Sequence, residues 1–262
     1  MTVRVLVVGI GSGDPAHLTS EAVAALNAVD VFLVADKRAA TRDLVTLRAE
    51  LCAAVITHDR YRFVEVADPE RGPDAARDAT AYAGAVRDWH AERAHRYAEA
   101  ITREVGVTGT VGLLVWGDPS LYDSTLRVVD TVAEELGSRG VALEVTVVPG
   151  ISSVSLLAAR HRIALNRVGR PVHITTGRRL VAEYDDALGD VVVMLDGDLA
   201  CAGLVETHPD LEIFWGAQLG LPDEALVRGR LSDVLPELRA RRDAVRAARG
   251  WVMDTYLLRP AS

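Results

Sequence analysis

The chain has 262 residues, 49% of them hydrophobic and 25% charged, so it can bury a full core and is too apolar to stay disordered. A formal net charge of −8 lacks the basic excess of a general nucleic-acid binder, and no apolar run reaches the length of a membrane span. Cys52 and Cys201 are too few and too distant for a disulfide framework or a metal site, which points to a reducing cytoplasm.

Residues 4–10 predict a first strand and not a cleaved leader. It ends in Gly9-Ile-Gly-Ser-Gly-Asp-Pro15, ahead of a helix over 20–29 with apolar positions at helical spacing. A second strand over 30–35 ends at Asp36-Lys37-Arg38, and Lys37 is the single lysine of the chain. A helix over 42–52 leads to a short third strand at 53–57, and the polar stretch 58–73 reads as a long loop holding Arg60, Tyr61 and Arg62. One long helix is expected over 74–105, with Trp89, Ala94, Tyr97 and Ile101 on its faces.

The apolar run 111–116 has the make-up of a buried central strand. It stops at Gly117-Asp118-Pro119, a turn signal, with Ser120 ahead of a helix that runs to about 136 and is stopped by Gly137 and Gly140. A fifth strand over 143–148 ends at Pro149-Gly150-Ile151-Ser152-Ser153, and a helix follows. Strands alternating with helices imply a parallel sheet. Beyond about residue 160 the rhythm changes, with strands expected at 171–175, 190–194, 211–215, 225–228 and 251–258 and helices at 199–207 and 231–248. The expected fold is α/β with two α/β domains. Residues 1–150 would form a five-stranded parallel sheet and 151–262 a mixed sheet, with the boundary between Pro149 and Arg170.

The Gly9-x-Gly11-x-Gly13 run invites a dinucleotide reading, but the position of the third small residue is Asp14, followed by Pro15. A carboxylate there repels a pyrophosphate, and proline removes a backbone donor. The glycines instead suit a loop that another backbone approaches closely. Ser152 and Ser153 have two readings, ligand contact or helix cap. The seven histidines show no paired spacing for a metal, and none is expected.

Three loops thus follow strands one, four and five, and in this order and spacing they resemble the tetrapyrrole methylase family. The stretches Phe32–Lys37, Tyr61–Val66, Asp88–His90 and Trp215–Glu224 are similar to its deacetylating precorrin methylases, and the likeness runs from Val5 to Leu258. The resemblance implies a transferase that holds S-adenosylmethionine in a cleft between its domains and methylates a precorrin ring (precorrin-5) with loss of an acetyl group. Carried over by motif, the cofactor would meet Trp116, Gly117, Asp118, Leu121, Ser152, Ser153, Met194, Gly216 and Ala217. Trp116 departs from the small residue usual before this Gly-Asp. Gly11, Ser12 and Gly13 would lie under the tetrapyrrole, with Lys37 and Arg62 pairing its carboxylates and Asp14 and Tyr61 as candidates for the acetyl-removing step. A homodimer is expected, with no nucleic-acid or membrane partner. The competing readings are a methylase of this fold acting on another precorrin or a macromolecule, and a non-catalytic tetrapyrrole binder.

Overall fold

The computed structural model describes residues 1–36, 42–69 and 79–260. Lys37, Arg38 and the first residues expected in the long helix lie outside that set. The chain divides into two compact units, Met1–Ile151 and Ser152–Ser262.

In the first unit β1 (Thr2–Gly9), α1 (Ser20–Leu26), β2 (Val31–Asp36), α2 (Arg42–Val55), β3 (Arg62–Ala67), α3 (Ala79–Glu104), β4 (Gly109–Val115), α4 (Thr125–Ser138) and β5 (Ala142–Val148) succeed one another. All pairings are parallel, in the order β3-β2-β4-β1-β5. The strand β4, uncharged along its whole length and buried from Thr110 to Val115, is central, as buried parallel strands require. Alternate β1 residues feed opposite faces: Val3, Val5 and Val7 pack with apolar residues of α3 and α4, while Leu6 and Val8 pack with those of α1 and α2. The α4 residues Val128, Val129, Val132 and Leu136 form the buried stripe that a 3.6-residue period demands.

Two expectations fail here. Residues 53–55 continue α2 and do not start a strand, because Ala53, Ala54 and Val55 extend a helix already begun. The third strand lies in the stretch read as a loop, over Arg62–Ala67. It pairs only with β2 and buries little of its length, so an edge strand with polar residues imitates a loop. Ser120 stays in the turn, and α4 begins at Thr125.

In the second unit α5 (Ser153–His161) leads to β6 (Val172–Thr176), α6 (Gly177–Glu183), β7 (Asp190–Met194), β8 (Glu212–Ala217), β9 (Ala225–Arg230), α7 (Leu231–Arg249) and β10 (Asp254–Arg259). The sheet is mixed, ordered β6-β7-β10-β8-β9, with only β6 and β7 parallel. The helix expected at 199–207 is a 3-10 turn at Ala200–Leu204, and α6 is an element that the sequence reading missed. Trp215 and Tyr256 are fully buried at the centre of this sheet.

Candidate functional site

The carboxyl edge of the first sheet gathers the three glycine-bearing loops. Gly11 and Gly117 form an isolated antiparallel bridge, with N–H donations to each other's carbonyl at 3.2 and 2.7 Å. Gly150 lies so close that a Cβ on it would overlap the Gly117 carbonyl oxygen, and a Cβ on Gly9 would sit 2.6 Å from the Gly150 nitrogen. Three backbones meet where no side chain fits, the close approach that the glycine run suggests. Asp118 locks the junction. Its Oδ2 accepts the Gly150 N–H at 2.9 Å, and its Oδ1 accepts the Ser120 N–H at 2.8 Å and the Ser120 hydroxyl. Burial pushes the Asp118 carboxyl up, but these donors outweigh it and hold the group below the usual carboxylate range.

In the first loop the Asp14 carboxylate accepts the Ala16 N–H at 2.9 Å and caps a 3-10 turn that Pro15 opens. That geometry favours a turn over a phosphate cradle. Buried Ser12 places its hydroxyl 2.7 Å from His17 Nδ1, an acid–base pair that the sequence reading did not find.

Trp116 follows β4, with its ring against Gly13, where a Cβ would come 2.6 Å from it. The Arg48 guanidinium lies over the same ring at 5.0 Å. Both belong to a cavity of about 550 Å³ at the carboxyl ends of β2 and β4, also lined by Arg93 and Arg127. Arg48 was legible in hindsight, since Leu44, Val45, Arg48, Leu51 and Cys52 share one helical stripe and a cation there must be largely buried.

Tyr61 and Arg62 do not join these groups. In a parallel sheet every strand starts at the same edge, and Arg62 opens β3 with its N–H bonded to the Asp30 carbonyl just before β2. Its guanidinium pairs with Glu104 at 3.0 Å, and the Tyr61 ring packs among Phe32, Phe63 and His58. Reading β3 as a loop put both at the wrong edge. Arg60 precedes the same strand and goes with them.

In the second unit Ser152 caps α5, its hydroxyl accepting the Ser155 N–H at 3.2 Å. Ser153 is the first residue of that helix. Met194 ends β7, ahead of Leu195, which is two-thirds exposed and has φ 51°. Gly216 and Ala217 end β8, followed by Gln218 with φ 50°. Gln218 is buried, its Oε1 accepts the Met253 N–H at 3.0 Å, and its Nε2 has no hydrogen-bond partner among the described residues. Glu224 fixes this loop by accepting the Gly220 N–H at 2.7 Å and pairing with Arg160 at 2.8 Å. The loop after β7 is held by Asp196, which accepts the Ala200 N–H at 2.7 Å and the Tyr256 hydroxyl at 2.5 Å.

Among the described residues the one three-member cluster of possible metal ligands, His95, Glu99 and Glu135, is spanned by Arg139, which pairs with both glutamates.

Residues 4–235 match the family model described as Tetrapyrrole (Corrin/Porphyrin) Methylases. The chain is 44% identical to the precorrin-6A synthase (deacetylating) of Sinorhizobium sp over 257 residues, 98% of this chain and 95% of that protein. Its structure is similar to that of a putative cobalamin synthesis related protein (CobF) from Corynebacterium diphtheriae, with TM-score 0.82, 34% identity and full coverage of both chains. A uroporphyrin-III C-methyl transferase from Thermus thermophilus, solved with S-adenyl homocysteine, shares the fold at TM-score 0.57 and 20% identity, covering 97% of this chain and 96% of that one. With the family model spanning most of its length and a relative matched nearly end to end, the chain belongs to the tetrapyrrole (corrin/porphyrin) methylases.

Proposed function

We propose that this protein is a deacetylating precorrin-6A synthase, which methylates ring carbon C1 of precorrin-5 and releases the acetyl group as acetate to give precorrin-6A. The observation that carries this reading is the near-full-length likeness to the Sinorhizobium synthase. S-adenosylmethionine, when bound, supplies the electrophilic methyl group. The residues present suit such a ligand: Gln218 Nε2 is a buried donor without a partner among the described residues, close in sequence to Gly216 and Ala217. We assign its binding to Gly117, Asp118, Leu121, Ser152, Ser153, Met194, Gly216 and Ala217, and add Gln218.

Methyl transfer to an electron-rich carbon asks the chain mainly for alignment and exclusion of water, and positioning supplies up to about 7–11 kcal/mol in well-oriented reactions. The junction of Gly9, Gly117 and Gly150 suits this task, because the Gly11–Gly117 bridge and the Asp118 carboxylate leave the three backbones few ways to move. Removal of the acetyl group needs water as acceptor and a group to take its proton. Asp14 and His17 are acid–base groups in the first loop of the same sheet edge, and we assign that role to them in place of Tyr61.

The reaction is placed in the cytoplasm, with a homodimer as the working assembly and no metal. In support, both cysteines are free and buried, and among the described residues no helix is long and apolar enough to cross a membrane. The deciding experiment incubates the protein with isotope-labelled S-adenosylmethionine and a panel of precorrins, followed by mass spectrometry. The expected product gains one labelled methyl group and loses one acetyl group, with acetate in the medium. Methylation of a different ring without acetate would replace this reading by another member of the family.

A further inference from the structure

Strands β2 and β4 stay paired for only two positions, Val31 with Val111 and Phe32 with Gly112. Beyond them β2 runs on to Asp36 and β4 to Val115 without pairing each other, so the sheet opens at its carboxyl edge. The cavity fills this opening, with Leu33, Ala35, Leu113 and Val115 on its walls. A split in a parallel sheet normally collapses or is filled by side chains, since open apolar walls forfeit packing. Among the described residues no side chain fills it, and its cations are of two kinds.

Arg93 is answered by Asp68 at 3.1 Å. Arg48 is not. Its guanidinium donates to the Leu44 carbonyl at 3.2 Å and stacks on Trp116, and no carboxylate among the described residues lies within ion-pair distance. Asp123 lines the same cavity and its charge partly supports the Arg48 cation, but it lies beyond ion-pair distance and accepts the Thr125 N–H at 2.6 Å. Burial pushes the Arg48 guanidinium down to about 10, the mark of a cation that has lost water and gained no adequate counter-charge. Arg127, exposed at the mouth of the cavity, has no acidic partner among the described residues.

We propose that the β2–β4 split receives a carboxylate-bearing hydrocarbon arm of the ring substrate, with Arg48 as its buried counter-charge and Arg127 as the cation that guides it in. The apolar walls suit the carbon chain of such an arm. The Trp116 ring covers one face of the guanidinium and leaves its edge for the forked contact that carboxylates make. The inference rests on the tetrapyrrole reading above for the identity of the ring, and it makes Arg48 a specificity-determining residue.

The test uses the full chain and uroporphyrin, a stable polycarboxylate tetrapyrrole, titrated by its fluorescence. S-adenosylhomocysteine is titrated in parallel by calorimetry. Arg48→Gln is expected to weaken porphyrin binding by at least about thirtyfold, the usual scale for losing one partner of a desolvated charge pair. Arg48→Lys is expected to restore part of that loss, and S-adenosylhomocysteine affinity to stay within about twofold. Arg127→Gln, a surface change that leaves the fold alone, is expected to weaken porphyrin several-fold and to flatten its salt dependence. Because Arg48 is desolvated with no carboxylate at ion-pair distance among the described residues, Arg48→Gln is expected to melt at the wild-type temperature or above it.

Absence of porphyrin binding by the wild type, or wild-type affinity in Arg48→Gln, would overturn the proposal. So would a variant that loses porphyrin only because it melts several degrees lower. Precorrin turnover separates the two readings. If no precorrin is methylated yet porphyrin affinity still depends on Arg48, the functional reading fails and the site stands. If methylation and acetate release proceed while Arg48→Gln keeps its porphyrin affinity and its KM, the site fails and the functional reading stands.

Discussion

The Asp118 carboxylate accepts the backbone N–H of Gly150, thirty-two residues further along the chain, at 2.9 Å. This bond ties the loop after β4 to the loop after β5, and the same carboxylate also folds its own loop through Ser120. The residue that the family resemblance gives to the cofactor is thus also the clasp of the loops around it.

Asp118→Asn is nearly isosteric and removes the charge, and an amide nitrogen turned toward Gly150 offers a donor to a donor. S-adenosylhomocysteine affinity is expected to fall at least about tenfold, the scale of one charged hydrogen bond. Calorimetric titration checks this. Since donors hold the Asp118 carboxyl below its ordinary value, its contribution to stability is full above the unfolded carboxylate range and is lost as pH falls through its folded value. Urea midpoints for wild type and Asp118→Asn should therefore converge only in acid.

Gly150→Ala tests the junction of loops directly. Its methyl would overlap the Gly117 carbonyl, backbone that cannot rotate away. Overpacking of this kind costs roughly 1–3 kcal/mol, so the thermal midpoint is expected to drop by several degrees and S-adenosylhomocysteine binding to weaken with it. Wild-type values for both would show that the loops have slack.

His17→Gln separates the two chemical steps. If His17, 2.7 Å from Ser12, handles the proton of the acetyl-removing step, the variant should still transfer the methyl group. It should also accumulate a methylated product that keeps its acetyl group, visible by mass spectrometry. Equal loss of methyl gain and acetate release would reduce the pair to a loop tie.

His161 lies buried on α5, its Nε2–H donating to the Trp215 carbonyl at 3.0 Å. Burial lowers its affinity for a proton, and the hydrogen bond from Nε2 only partly offsets this. The unfolded chain then binds the proton more tightly than the folded one. The stability contribution is full above the unfolded value of about 6.5 and is lost as pH falls from there through the lower folded value. Denaturation midpoints should fall through this window in the wild type and more shallowly in His161→Gln.

Burial pushes both thiols up to about 12, so neither Cys52 nor Cys201 offers thiolate at neutral pH. A thiol reagent is expected to leave the native protein unmodified and to label both after denaturation. Rapid labelling of either in the native state would contradict their burial.

Sequence alone determined the alternation that makes a parallel sheet, because β4 is apolar enough to read only as a central strand and α4 has unmistakable helical spacing. It also determined which loops meet: glycine, aspartate and proline at strand ends are turn chemistry that any sheet of this kind brings to one edge. It did not determine β3, whose polar residues are tolerated because only one of its edges is paired. That error moved Tyr61 and Arg62 to the wrong end of the sheet, since the edge a residue occupies depends on where its strand begins. Gln218, and the lack of a carboxylate beside Arg48, were beyond reach for another reason. An unpaired buried polar group is defined by what fails to surround it, and only the tertiary structure decides which partners arrive. The clasp made by Asp118 is of the same kind: the motif marks the carboxylate, while the fold supplies Gly150 to claim one of its oxygens.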